Sequence, residues 1–122
     1  MDEQQKNLVM LLAWAWLRNA RPQKAATLLA ALDVVAPGQR QVQRMLALAL
    51  VRGGEPRRAL DTLDRMAVTG AADAAFHLLR ARALAACDRR IEAGAAMAAC
   101  QIARDSARHS MRDGARGMEA LQ

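Results

Sequence analysis

The chain has 122 residues, enough for one domain, and 53% of them are apolar while only 2% are aromatic (Trp14, Trp16 and Phe76). That balance excludes an aromatic-rich core and demands close packing of alanine and aliphatic side chains. The net charge of +6, from 18 Lys+Arg against 12 Asp+Glu, permits an acidic partner without requiring one.

Alanine and leucine dominate and β-branched residues are sparse, so the expected fold class is all-α. Met1 to Gln5 reads as a short frayed lead-in, with Asp2 or Asn7 as helix cap. A first helix follows over Leu8 to Arg18, apolar nearly all round from Leu8 to Leu17. A helix of that kind needs cover on more than one side. Its surplus points to a groove, an extra contact or a bound partner. The turn lies at Asn19-Ala20-Arg21-Pro22, with proline where its fixed φ suits a helix start. A second helix, with Ala25, Leu28, Leu29 and Leu32 on one face, ends before Pro37-Gly38.

A second pair opens near Gln39. Its first helix carries Val42, Met45, Leu46, Leu48, Ala49, Leu50 and Val51 and stops at Gly53-Gly54. The helix after Pro56 turns Ala59, Leu60, Leu63 and Met66 inward, and places Arg57–Asp61 and Asp61–Arg65 at i,i+4 spacing outside. Thr69-Gly70 closes it. The third pair starts near Ala74 with Phe76, Leu78, Leu79, Ala81, Ala83, Leu84 and Ala85, and turns at Cys87-Asp88-Arg89. Its second helix holds Ile91, Ala93, Met97 and Cys100 as apolar residues, with Ile102 at its edge. Residues 106–122 are polar and basic. Ala107, Met111, Ala115 and Met118 form a thin helical stripe weakened by Gly114 and Gly117. The reading is a marginal capping helix, with disorder as the alternative.

Ala25, Ala59 and Ala93 stand 34 residues apart, each inside a matching apolar pattern. A helix–turn–helix unit at that period resembles the tetratricopeptide repeat. The resemblance covers about residues 6–105 as repeats 6–39, 40–73 and 74–105. Val9, Leu12-Ala13 and Trp16 fit the first helix of unit one, and Leu46-Ala47 and Leu50 that of unit two. Unit three keeps Ala81 and Leu84 but has His77 and Arg80 at positions expected to be apolar. The second-helix pattern of small, large and medium residues is met by Ala25-Leu29-Leu32, Ala59-Leu63-Met66 and Ala93-Met97-Cys100. The family implies a right-handed superhelical array of three repeats, with a cap beyond. Size, repeat count and the LLAWAWL helix are also similar to the small three-repeat chaperones of bacterial type III secretion systems, the YscY-like class. Those chaperones imply a cytoplasmic adaptor without enzymatic activity, holding an exported protein segment.

In such an array the first helices line a concave face. That gives a partner-binding groove of Met10, Trp14, Leu17, Arg18, Arg44, Leu48, Val51, Arg52, Leu78 and Arg82. An apolar centre among arginines suits an amphipathic helix with acidic flanks. Trp14 is the expected anchor, unless it packs inside the repeat. The same face is alternatively a homodimer surface. Trp16 and Met97 read as core. The lysine–asparagine set with which some relatives clamp a terminal carboxylate is missing.

Cys87 and Cys100 lack zinc-site spacing, and Cys100 reads as a buried, inert thiol. His77 reads as an interface residue. No phosphate loop or nucleophile–base set is discernible, so neither an enzyme, a metal nor a cofactor is expected. Arg57-Arg58, Arg89-Arg90 and the tail arginines alternate with carboxylates and lack neighbouring aromatics, which argues against nucleic acid. MDEQQKN is unlike a signal peptide, and no apolar run reaches the roughly 18 residues of a membrane span. A cytoplasmic location with reduced thiols is the expectation.

Overall fold

The computed structural model describes residues 2–70 and 72–120, the side chains of 118–120 excepted. Six helices follow one another: α1 (Glu3–Arg18), α2 (Pro22–Val35), α3 (Arg40–Arg52), α4 (Pro56–Val68), α5 (Ala74–Ala86) and α6 (Arg90–Ala120). No strand occurs among the described residues.

Three-residue turns join α1 to α2, α3 to α4 and α5 to α6, so each pair folds back as a hairpin. All three turns are built alike. The N–H of Arg21 donates to the Trp16 carbonyl at 2.8 Å, that of Glu55 to Leu50 at 2.8 Å, and that of Arg89 to Leu84 at 2.9 Å. Such bonds satisfy carbonyls that a helix end leaves open. They need a left-handed residue in the middle of the turn, and Ala20 (φ 57°), Gly54 (φ 78°) and Asp88 (φ 60°) supply it. Those positions repeat at the interval of 34 seen in the apolar pattern. Pro22 and Pro56 then open α2 and α4.

The hairpins pack in two layers. α1 touches α3 and α3 touches α5, whereas α2 and α4, and likewise α4 and α6, make no direct backbone approach. α2 packs on α3 and α4 on α5. The first helices therefore form one continuous layer, and the second helices lie across it. Alanine makes this spacing possible. Ala13, Ala47 and Ala81 on the first helices, and Ala25, Ala59 and Ala93 on the second, are all buried at successive intervals of 34. A larger side chain there would push the helices apart. Leu29, Leu50, Leu63, Met66 and Leu84 fill the space between.

Polar contacts tie the helices within and between the layers. Buried Asp33 on α2 accepts from Arg65 on α4 at 3.2 Å. Arg80 on α5 reaches Asp64 on α4 at 3.0 Å. The expected Arg57–Asp61 and Asp61–Arg65 pairs are replaced by these contacts and by Arg58–Glu55 at 2.8 Å, because Arg65 finds a shielded carboxylate on another helix. At the start of α6 the exposed Arg89–Glu92 pair holds the Glu92 carboxyl below its ordinary range, chiefly by hydrogen bonding.

Several expectations are corrected. The lead-in is not frayed to Gln5. α1 begins at Glu3, because Asp2 accepts from the Gln5 N–H at 2.8 Å and the Gln5 side chain accepts in turn from the Asp2 N–H at 3.1 Å, a reciprocal cap. The tail is not a separate capping helix. α6 runs unbroken for 31 residues, and residues 104–117 are exposed along their whole length. Ala107, Met111 and Ala115 thus cover nothing, and Met118 has its side chain outside the described residues. Met97 is exposed rather than core, and Ile91 and Ile102 are exposed too, since among the described residues no helix packs on that side of α6. Trp16 is half-buried against the core instead of enclosed by it.

Candidate functional site

A groove of about 550 Å³ crosses the layer of first helices. α1 contributes Met10 and Trp14. α3 contributes Gln41, Arg44, Met45, Leu48 and Arg52, and α5 contributes Ala75, Leu78, Leu79 and Arg82. The interval of 34 explains the layout. Met10, Arg44 and Leu78 are equivalent positions on successive first helices, and so are Trp14, Leu48 and Arg82. Each row crosses the groove with two apolar side chains and one arginine.

Arg44 is fixed by α5. Its Nη2 donates to Asp73 Oδ2 at 2.6 Å, while Asp73 Oδ1 caps α5 by accepting from the Phe76 N–H at 2.9 Å. The cap residue therefore also aims the arginine. Arg44 Nε is buried and has no acceptor among the described residues. A buried donor left unmatched costs on the order of 1–3 kcal/mol. Among the described residues no carboxylate pairs with Arg52 or Arg82. The groove thus has an apolar floor and a cationic rim.

Of the residues expected here, Met10, Trp14, Arg44, Leu48, Arg52, Leu78 and Arg82 line the groove. Leu17 does not. It is buried in the core with Ala13, one helical turn away from Trp14. Val51 packs against the same core, and Arg18 is exposed and does not line the groove. Met45 and Leu79 join the groove without having been expected there. They are equivalent positions that face both the neighbouring hairpin and the groove, and their apolar character reads in the sequence as core alone.

Other hollows are shallower in chemistry. Trp16 with Gln23, Lys24, Thr27 and Leu28 flanks a small depression between α1 and α2. A cleft between α4 and α6, floored by α5, holds His77 beside the Asp64–Arg80 pair, and the His77 ring meets Phe76 edge-on at 5.2 Å. Cys87 is half-buried and Cys100 buried, both as free thiols. Among the described residues no three His, Cys, Asp or Glu side chains converge as a metal site, and no helix is long and apolar enough to cross a membrane.

Compared with known families and with curated proteins, the chain matches no family model and no curated protein.

Proposed function

We propose that the protein is a non-enzymatic adaptor of three tetratricopeptide repeats that holds an apolar helical segment of another protein in the groove across α1, α3 and α5. The hairpin geometry and the interval of 34 support the repeat reading. The observation that carries the binding reading is the pairing of an apolar floor with two rim cations, Arg52 and Arg82, that no carboxylate meets among the described residues. An amphipathic helix lays its apolar side on Trp14, Leu48 and Leu78, and acidic residues at its edges meet the arginines. The work done is masking of apolar surface until the segment is handed on. The resemblance to type III secretion chaperones makes an exported subunit of such a system the first partner class to test, and a cytoplasmic location goes with it. A homodimer through this face is disfavoured, because it brings Arg44, Arg52 and Arg82 of two copies together.

The test uses a synthetic amphipathic helix with leucines at i, i+3, i+4 and i+7 and glutamates at both flanks. Binding is followed by Trp14 fluorescence in a Trp16→Phe background. Expected are saturable binding, a loss of at least tenfold for Leu48→Ala or for Arg52→Glu with Arg82→Glu (about 1.4 kcal/mol per tenfold), and weaker binding of a lysine-flanked peptide. Equal binding of both peptides by the native and the charge-reversed protein would sink the proposal.

A further inference from the structure

Positions 34 apart occupy the same place in successive hairpins, so their burial can be compared along the chain. Val42 on α3 and Phe76 on α5 are 0% and 4% exposed, but their counterpart on α1, Leu8, is 68% exposed. Leu46 is 3% exposed against 46% for Leu12, and Leu79 is 7% against 63% for Leu11. The opposite end shows the mirror deficit. Leu29 on α2 and Leu63 on α4 are fully buried, yet Met97 on α6 is 49% exposed. Inside the molecule, α2 packs on α3 and α4 packs on α5. Among the described residues no helix packs on α1 as α2 packs on α3, and none packs on α6 as α3 packs on α2.

We propose that α6 of one molecule packs on α1 of a second copy, Met97 against Leu8, Leu11 and Leu12, in the way α2 packs on α3. Charge favours this partner. Counting seven and eleven residues on from Met97, the same face of α6 carries Arg104 and Arg108. Neither has a carboxylate partner among the described residues, and the nearby Asp105 is taken by Gln101 at 3.1 Å. Antiparallel packing sets these arginines beside the first turn of the second copy's α1, where Asp2 caps the helix and Glu3 pairs with Lys6 at 2.9 Å, so that the arginines compete with Lys6 for Glu3. The association is head-to-tail, so copies add in an open series or close into a ring. The contact is one helix wide, a narrow face beside the roughly 800 Å² per partner that a stable complex buries. It therefore forms at high concentration. It does not use the groove, and its fate is independent of the function proposed above.

Sedimentation velocity of the full chain from about 10 to about 500 µM, a range suited to a weak complex, tests it. The average mass should rise with concentration. Leu11→Glu and Met97→Glu, both at exposed sites and checked for native helicity by circular dichroism, should each weaken association at least tenfold. Mixed together they should form heterodimers and nothing larger, because one retains a sound α6 face and the other a sound α1 face. Arg108→Glu should weaken association at low salt and lose that effect at high salt. A native chain that stays monomeric throughout overturns the proposal. So does a Met97→Glu protein that associates like the native one, which would signify pairing of α1 with α1, or a mixture that stays monomeric.

Discussion

Ala20, Gly54 and Asp88 hold one backbone conformation in three turns, and only the middle one is a glycine. A left-handed φ brings Cβ against the carbonyl oxygen and costs about 1–2 kcal/mol for a residue other than glycine. The turn tolerates the cost because the bonds from Arg21, Glu55 and Arg89 each close a helix end. Ala20→Gly should therefore raise the unfolding free energy by about 0.5–1 kcal/mol, after allowing for the greater freedom glycine gives the unfolded chain. Gly54→Ala should lower it by about 1 kcal/mol, although an added Cβ there meets nothing within 4 Å. The loss then reports backbone strain and not a clash. Urea unfolding of both variants measures this, and a neutral or destabilising Ala20→Gly would show that the turn draws no benefit from glycine.

At the scale of the element, α6 departs furthest from its sequence pattern. Gly114 and Gly117 look like a helix end, because each costs about 1 kcal/mol relative to alanine in a helix interior. The helix nevertheless continues, since extending an existing helix avoids the unfavourable nucleation step. Gly114 has open space where a Cβ would stand. Gly114→Ala should thus increase helicity in the segment beyond Asp105 and leave the melting of the packed hairpins almost unchanged. Cα chemical shifts of residues 106–117 follow the first effect, and a shift of the main transition by several degrees would contradict the second. The contrast explains what was legible in the sequence. Ala25, Ala59 and Ala93 announced their environment because small side chains at a fixed interval have one purpose, close helix approach. The groove was legible in Met10, Trp14, Arg44, Leu48, Leu78 and Arg82, since a face that is neither core nor solvated follows from helix periodicity. Leu17 and Met97 were not legible. The identity of each is compatible with either side of a helix, and their burial is decided by whether a neighbour is there to cover them. Leu17 has one in α2, and Met97 has none among the described residues.

The whole molecule is a series of hairpins in which each unit is stabilised by those beside it, so stability should grade along the chain. α3 and α4 have hairpins on both sides and hold the fully buried Val42, Leu50, Leu63 and Met66. α1 exposes Leu8, Leu11 and Leu12 on its outer side, and α6 projects beyond Asp105 without cover. Amide hydrogens open with free energies set by how much packing must be broken locally, up to the global value. Native-state exchange in dilute, monomeric protein should place the slowest amides in α3 and α4 at the global unfolding free energy. Amides of α1 should exchange through partial opening that leaves α3 to α5 intact, and those of residues 106–117 should be barely protected. Leu63→Ala, which removes a fully buried side chain at a cost of about 2–5 kcal/mol, should lower protection in every hairpin. Leu12→Ala should lower it in α1 and α2 and spare α5. If both substitutions changed all amides equally, the hairpins would be unfolding as a single unit, and burial at the ends could not be reasoned about separately from the middle. Raising the concentration supplies a second reading from the same amides. Head-to-tail packing would slow exchange in α1 and in α6 near Met97, while α3 and α4, already limited by global unfolding, would gain far less.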